Sequence, residues 1–289
     1  MRTWDASTAG SSFPTEDFAF TVHSVFARAV NLRPGRGALL SLVADGDFEH
    51  PRAALVPEAR FDDWGVSPGG TGSFAEGTLF FDAADAAVNL PAPRRSAADE
   101  AAPRLAALDS GASQSLKRAA AAVAAIRKER GAEAQEPFAG RLDAGAQALE
   151  NAAANLSVAG VLETCRTLVG LGPGLTPAAD DFLCGWLAGL RAQAYVTPGL
   201  GAFLDEAGAA FLGPPNLLAA TSDISAAFLG EALHGRFASA LVAFARAALG
   251  VGGDLDRSVG ALAAIGHSSG TDAALGFLFA FGSARGGKG

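Results

Sequence analysis

The spacing of apolar residues along the chain changes character near residue 90. Before that point, short segments rich in Phe, Val, Leu and Thr predict strands, at residues 18–32, 38–44, 53–56 and 78–81. Glycine and proline separate these segments, most densely at residues 67–72, where the composition is typical of turns. Short strands with frequent turns predict a small antiparallel barrel or sandwich over residues 17–90.

Beyond residue 90, the apolar residues follow helical spacing, and alanine becomes the dominant small residue. This pattern predicts helices, at residues 119–130, 142–169, 182–194, 200–211, 226–249, 255–265 and 272–281. The density of alanine and glycine indicates helices that pack closely.

The two patterns together predict an α+β protein, a small antiparallel β-rich domain followed by a larger α-helical domain. The polar start of the chain predicts a flexible tail over residues 1–16, before the β-rich domain at 17–90. The segment Pro-Ala-Pro-Arg-Arg-Ser at 91–96 indicates a linker, placed at 91–104. The helical domain then spans residues 105–289.

Composition narrows the classes of function. With 49% hydrophobic and 18% charged residues, the 289-residue chain is not disordered as a whole. A formal net charge of −8 argues against nucleic acid or an anionic membrane as partner. The chain has no basic-then-apolar leader and no apolar run of about 18–20 residues, so we expect a cytoplasmic protein. Cys165 and Cys184 lie in apolar helical stretches and are expected to be small buried residues.

The first candidate site is the segment Gly170-Leu-Gly-Pro-Gly-Leu-Thr-Pro-Ala-Ala-Asp-Asp181. Thr176 is a good N-cap residue, and proline is favoured at the first helical position that follows. Gly172 and Gly174 permit close backbone approach, and free N–H groups at a helix start attract anions. Asp180 and Asp181 in the first turn would repel a phosphate unless a cation lies between them, which points to Mg²⁺. The alternative is a turn followed by a helix start stabilised by acidic residues.

The second candidate is the segment Thr-Ser-Asp-Ile-Ser at 221–225, which supplies Ser222 and Ser225 and leads into a helix. Glu231 and His234, three residues apart on that helix, share a face and can form an acid–base unit or a surface pair. The serines are also ordinary capping residues.

The third candidate is the segment Gly-His-Ser-Ser-Gly-Thr-Asp at 266–272, which enters the apolar last helix. His267 is a candidate acid or oxyanion donor. Ser268, Ser269, Thr271 and Asp272 are candidate ligands of substrate or phosphate, or simply capping residues. If the three helix starts converge, they form an anion pocket with a carboxylate-held cation.

Other common site types do not fit. The first segment lacks the Gly-Lys-Ser/Thr ending of a phosphate-binding Walker loop, and no strand precedes it as a dinucleotide fingerprint requires. No Cys/His group has zinc spacing, and no Gly-x-Ser-x-Gly elbow is present. No organic cofactor is predicted.

The three segments, in this order, resemble a family that includes the third subunit of the oxamate carbamoyltransferase complex of anaerobic allantoin breakdown. The resemblance covers roughly the last 120 residues. It implies transfer of a carbamoyl or related acyl group to or from phosphate, as when oxalurate and phosphate give oxamate and carbamoyl phosphate. It also implies a hetero-oligomer with other enzyme subunits. Ala178 and Ala179 stand where the family pattern has Ser and Gly, so the substrate stays open.

Three hypotheses follow. In the first, an enzyme subunit binds phosphate, carbamoyl phosphate or a ureido or amido acid. Gly172, Gly174 and Thr176 would contact phosphate. Asp180 and Asp181 would hold Mg²⁺ or contact a basic group, and His267 would act as an acid or base. The substrate would be contacted by Ser222, Ser225, Ser268, Ser269, Thr271 and Asp272. In the second, the chain is a non-catalytic scaffold or regulatory subunit that binds a small anion. In the third, it is a stand-alone Mg²⁺-dependent hydrolase. Arg166, Arg191 and Arg236 are the basic residues nearest in sequence to the motifs, and one of them at the Asp pair would favour catalysis.

Overall fold

The computed structural model describes residues 2–92, 96–99, 110–131 and 138–282. The chain divides into two compact units, Met1–Glu100 and Ala101–Gly289, which are described separately. A β-rich unit followed by a helical one confirms the predicted fold class. Much of the predicted linker, at 93–95 and 100–104, lies outside the described residues, as does the predicted start of the helical domain at 105.

The N-terminal unit is built on a single sheet. Its strands are β1 (Arg2–Asp5), β2 (Thr8–Ala9), β3 (Phe18–Phe26), β4 (Ala29–Pro34), β5 (Leu40–Val43), β6 (Ala53–Leu55), β7 (Thr71–Ala75), β8 (Thr78–Phe81) and β9 (Ala86–Asn89). Their order across the sheet is β1-β9-β8-β7-β3-β4-β5-β6-β2. The sheet is mostly antiparallel, as predicted, but it is mixed, because β1 pairs with β9 and β5 with β6 in parallel.

The prediction of a flexible tail at 1–16 was also wrong. Strands β1 and β2 lie at the two edges of the sheet, where they pair with β9 and β6. Trp4 of β1 stacks on Trp64 with ring centroids 4.0 Å apart, and Phe13 is buried. The sequence pattern missed this because strands of four and two residues are too short to show alternation.

The C-terminal unit is helical throughout its described residues. Its helices are α1 (Ser110–Glu129), α2 (Ala139–Ala154), α3 (Val158–Leu168), α4 (Ala178–Gln193), α5 (Leu200–Leu212), α6 (Asp223–Leu233), α7 (Ser239–Ala248), α8 (Leu255–Ala263) and α9 (Ser269–Ala280). Two predicted helices are each broken in two. Leu156 with a φ of 48° separates α2 from α3, and Gly235 with a φ of 76° separates α6 from α7. In the described part of the chain, no helix combines the length and apolar character needed to cross a membrane.

Helices α4 and α9 form the closest helix pair of this unit, and glycines make that contact possible. A Cβ on Gly185 of α4 would lie 1.8 Å from the carbonyl oxygen of Ala273, and one on Gly276 of α9 would lie 1.9 Å from that of Phe182. Two helices approach this closely only where side chains are absent. At the far ends, Gln193 donates to the carbonyl of Ala280 over 2.9 Å. The helices therefore run parallel, with both N-termini at the same end of the unit.

Gly185→Ala is expected to lower the free energy of unfolding by about 3 kcal/mol, because the added methyl group overlaps backbone that cannot move without separating the helices. Chemical denaturation measures this loss. The matched control is Gly260→Ala on α8, where nothing lies within 4 Å of the added Cβ. That variant should be neutral or up to about 1 kcal/mol more stable, since alanine favours a helix. Equal effects in the two variants would contradict this account of the α4–α9 contact.

Candidate functional site

The loop that precedes α4 turns sharply on glycines. Gly170, Gly172 and Gly174 have φ values of 77°, 118° and 101°, in the left-handed region. A Cβ on Gly172 would also lie 2.8 Å from the amide nitrogen of Ala178. The predicted capping is wrong in detail: Pro177 occupies the N-cap position and α4 begins at Ala178. This leaves the side chain of Thr176 available for a contact outside its own helix.

The three motifs converge, as their common design suggested. The hydroxyl groups of Thr176 and Ser269 share a hydrogen bond of 2.6 Å, which joins the first motif to the third. The hydroxyl of Thr221 donates to Asp180, which joins the second motif to the first. Ser222 donates to the carbonyl of Leu175 over 2.6 Å. We call Thr176, Asp181, Ser269 and Asp272, together with Asp180, the helix-start cluster.

Asp180 is the buried anchor of this cluster. One carboxylate oxygen accepts from the backbone N–H of Gly170 over 2.9 Å, and the other accepts from Thr221. Burial raises the pKa of the Asp180 carboxyl, and hydrogen bonds from Thr221, Gly170 and Ser225 oppose that rise. With both oxygens engaged within the protein, Asp180 positions the loop and the start of α6 relative to α4.

Asp181 differs from Asp180 in its hydrogen bonding. Its Oδ2 atom is buried and lacks a hydrogen-bond partner in the described part of the chain. Burial and the negative charges of Asp272 and Asp180 raise the pKa of Asp181 to about 8, although hydrogen bonds from Ser269 and Thr176 lower it. A buried acceptor without a partner costs about 1–3 kcal/mol, so such groups are rare unless a ligand or a function requires them.

Asp272, in the first turn of α9, pairs with a residue that the sequence analysis missed. Arg127 of α1 donates to Asp272 over 2.5 Å and to the hydroxyl of Thr271 over 3.2 Å, and both members of the ion pair are largely shielded from solvent. The neighbouring Arg130 donates to the carbonyls of Ala263 and His267. The basic end of α1 was visible in the sequence, but a partner 145 residues away was not.

Of the three arginines nearest in sequence to the motifs, Arg166 is exposed, and the other two are paired with acids elsewhere. Arg191 binds Asp205 over 2.7 Å, and Arg236 binds Glu231 over 2.5 Å, so neither contacts the Asp pair. His234 bonds to the carbonyl of Gly230 in its own helix, and Glu231 pairs with Arg236. The His–Glu acid–base unit is therefore not assembled in this structure. The side chain of His267 is exposed.

Several predicted ligand residues also serve the protein's own backbone. Ser222 is the N-cap of α6, where its hydroxyl accepts from the N–H of Ser225 over 3.1 Å. The hydroxyl of Thr271 donates to the carbonyl of Ser268 over 2.8 Å. Ser222 therefore caps α6 in this structure, and contact with a ligand stays a prediction for all of these residues.

Metal binding at the Asp pair stays a prediction. Within the described ranges, no group of three or more His, Cys, Asp or Glu side chains is arranged to hold a metal ion. Because both oxygens of Asp180 are engaged, only Asp181 offers an unpartnered oxygen to a cation.

The two cysteines fit the expected role of small apolar residues. Cys165 is buried, and Cys184 on α4 packs against the same core. Burial, with a contribution from the charge of Asp180, raises the pKa of Cys165 to about 12. Burial and the nearby aspartates raise the pKa of Cys184 as well. Both thiols therefore stay protonated and weakly nucleophilic at neutral pH.

Asp181→Asn is expected to stabilise the protein at about pH 7 by about 2 kcal/mol, because it removes a carboxyl that is costly to ionise when buried. Folding raises this pKa from 3.8 to about 8. The contribution of Asp181 to the free energy of unfolding of the wild type is therefore greatest below about pH 4 and falls as the pH rises to about 8. The gain from the substitution should therefore grow across this range and then level off. Unfolding by denaturant at several pH values measures it.

Asp180→Asn is the contrasting variant for this test. One of the two hydrogen bonds that Asp180 accepts would be lost, so this substitution should destabilise the protein. A gain in stability from Asp180→Asn, or a pH-independent effect of Asp181→Asn, would contradict the different states assigned to the two carboxyl groups.

Arg127→Met is expected to destabilise the protein by about 3 kcal/mol, because it leaves the carboxylate of Asp272 buried without its cation. Adding Asp272→Asn should recover most of that loss, and thermal or chemical unfolding of the three variants measures the coupling. The exposed pair of Arg60 and Asp62 is the control, since Arg60→Met should change stability by less than about 1 kcal/mol. Additive effects of the two buried substitutions would contradict the pairing.

Comparison with known proteins covers both units of the chain. A family model described as oxamate carbamoyltransferase subunit AllH matches residues 168–281, which contain all three motifs. A second model, the AllH family N-terminal domain, matches residues 5–98. No solved structure was found to match the chain. Since the two models of one family together cover most of the sequence, the chain belongs to the AllH family of oxamate carbamoyltransferase subunits.

Proposed function

We propose that this chain is a substrate-binding subunit of an enzyme that moves a carbamoyl group between an amide or ureido acid and phosphate. The family is described as a subunit of oxamate carbamoyltransferase, and the chain is expected to work with other subunits. The observation that carries the proposal is the helix-start cluster, in which the three motifs meet around a buried carboxylate oxygen without a partner.

The reaction exchanges one bond for another at the carbamoyl carbon. In the direction from oxalurate, the bond between the amide nitrogen and this carbon breaks, and an oxygen of hydrogen phosphate bonds to the carbon. The proton of hydrogen phosphate goes to the nitrogen, which leaves as the amide of oxamate. Such a transfer depends on holding two reactants in line and on placing polar groups at the atoms whose charge changes.

The cluster suits the binding of one of these reactants. Thr176, Ser269 and Asp181 present hydroxyl and carboxyl groups in one place, at the joined starts of α4 and α9. His267, exposed nearby in sequence, stays a predicted acid or base, and Mg²⁺ at the Asp pair stays a predicted cofactor. The phosphate contacts from Gly172, Gly174 and Thr176 are likewise untested.

A scaffold or regulatory role is the second candidate, and one observation favours it. Three of the arginines near the motifs are engaged with the protein's own acids: Arg127 with Asp272, Arg191 with Asp205 and Arg236 with Glu231. A subunit that catalysed phosphate chemistry by itself would need positive charge for the phosphate. A complementary subunit could supply that charge.

The decisive experiment is carbamoyl transfer by the enzyme assembled from this chain and its partner subunits. With oxamate and carbamoyl phosphate, release of phosphate should depend on oxamate. Asp181→Ala should reduce the rate at least about 100-fold and Ser269→Ala about tenfold, because both remove polar groups from the proposed binding site. Size-exclusion chromatography checks that each variant still assembles.

Asp256→Ala is the matched control, since Asp256 is an exposed aspartate in the first turn of another helix, α8, and is not a member of the helix-start cluster. It should retain full activity. Full activity of Asp181→Ala in an intact complex would defeat the substrate-binding role and leave the scaffold role. Chelator-sensitive hydrolysis by the chain alone would point instead to the metal-dependent hydrolase.

A further inference from the structure

Arg130, which directly follows α1, contacts the third motif without meeting an acid. Its Nη1 atom donates to the carbonyl of Ala263, at the end of α8, over 2.7 Å and to that of His267 over 3.1 Å. The residue is exposed, and no carboxylate pairs with it in the described part of the chain. A backbone carbonyl orients a guanidinium group but carries no net charge, so Arg130 keeps its positive charge available for a ligand.

The other arginine at this end of α1 is used differently. Arg127 pairs with Asp272 in the first turn of α9. The N–H of Arg130 still donates to the carbonyl of Ile126, so the chain remains helical there, and two arginines three positions apart lie on one side of a helix. Both therefore reach the start of α9, where one neutralises an aspartate and the other does not.

The guanidinium group of Arg130 has a pair of donors left for a ligand. With Nη1 bound to the two carbonyls, the Nε and Nη2 atoms have no partner among the described residues. These two atoms lie along one edge of a planar group, and their spacing matches two oxygens of a carboxylate or of a phosphate. Arg130 can therefore bind an oxyanion through two charged hydrogen bonds without giving up its contacts to the protein.

The helix-start cluster adjoins this arginine along the chain of α9. Ser269, two positions after His267, shares its hydroxyl hydrogen bond with Thr176. Oδ2 of Asp181 is buried and has no partner among the described residues, whereas buried polar atoms usually have one. Burial raises the pKa of Asp181 to about 8, so its carboxyl is mostly protonated at neutral pH and can donate to a ligand oxygen instead of repelling it.

We propose that Arg130 binds an oxyanion of the reactant at the helix-start cluster, through Nε and Nη2, and so supplies from within this chain the positive charge that the transfer needs. The oxyanion is the carboxylate of the amide or ureido acid or the phosphate, since both offer two oxygens to a guanidinium edge. The inference rests on the proposed function and names a binding residue for it. A chain with its own cation does not depend on another subunit for that charge.

The test compares ligands that differ in charge. The thermal unfolding midpoint of the full chain is measured at constant ionic strength against oxamate, inorganic phosphate and oxamide, in which a neutral amide replaces the carboxylate of oxamate. Oxamate or phosphate should raise the midpoint, and the larger response identifies the oxyanion, whereas oxamide should have no effect. In Arg130→Gln the apparent Kd for that oxyanion should rise at least about tenfold, because two charged hydrogen bonds are lost.

Two further variants separate binding from structure. Arg130→Lys keeps the charge but not the paired donors, so its apparent Kd should lie between those of the wild type and Arg130→Gln. Arg166→Gln removes an exposed arginine of α3 that contacts none of the three motifs among the described residues, and it should change the Kd by less than about twofold. Midpoints without ligand report any structural effect of the lost carbonyl contacts. In the assembled enzyme, Arg130→Gln should raise KM for the oxyanion more than it lowers kcat.

Several results would overturn the inference. These are no response to either oxyanion, an equal response to oxamide, or an unchanged Kd in Arg130→Gln. An equal loss in Arg166→Gln would also overturn it, because the effect would then be one of overall charge. Carbamoyl transfer by the assembled enzyme is measured separately, so the binding role of Arg130 and the proposed function can fail independently. If Arg130→Gln does not fold, Arg130→Lys and the three ligands on the wild-type chain still decide.

Discussion

The close parallel packing of α4 on α9 is the contact on which the site depends. Glycines at 185 and 276 let the two backbones touch, and the common direction of the helices brings their N-termini together. Thr176 and Ser269 meet only because of that geometry. Residues at 176–181 and 269–272, almost a hundred positions apart, thus become one cluster.

Parallel helices placed side by side align their dipoles unfavourably, with two partially positive ends adjacent. First-turn aspartates on both helices oppose that effect, at 180, 181 and 272. They receive unequal support from the protein. Asp180 accepts backbone and hydroxyl donors and Asp272 has Arg127, while Asp181 retains a buried oxygen without a partner. The same acidic residues that ease the helix contact therefore also define the chemical character of the site.

Stability and ligand binding pull in opposite directions at Asp181. A buried carboxyl with a raised pKa costs folding free energy at neutral pH, and a neutral amide side chain would avoid that cost. Proteins often keep such destabilising groups where function needs them. The cluster fits this pattern, because Asp180 accepts internal hydrogen bonds and Asp272 is paired with Arg127, whereas Asp181 has a buried oxygen without a partner among the described residues.

The sequence by itself determined the two-part architecture and the three segments that matter, because residue spacing reports local structure and glycine-rich helix starts are local features. It could not find the short strands β1 and β2, whose pairing partners are distant, or the breaks at Leu156 and Gly235, where apolar spacing continues across a turn. Only the tertiary structure decided which carboxyl group is satisfied, that Arg127 pairs with Asp272, and that the three motifs meet. Those facts depend on distances between residues far apart in the chain, and spacing along a sequence carries no record of them.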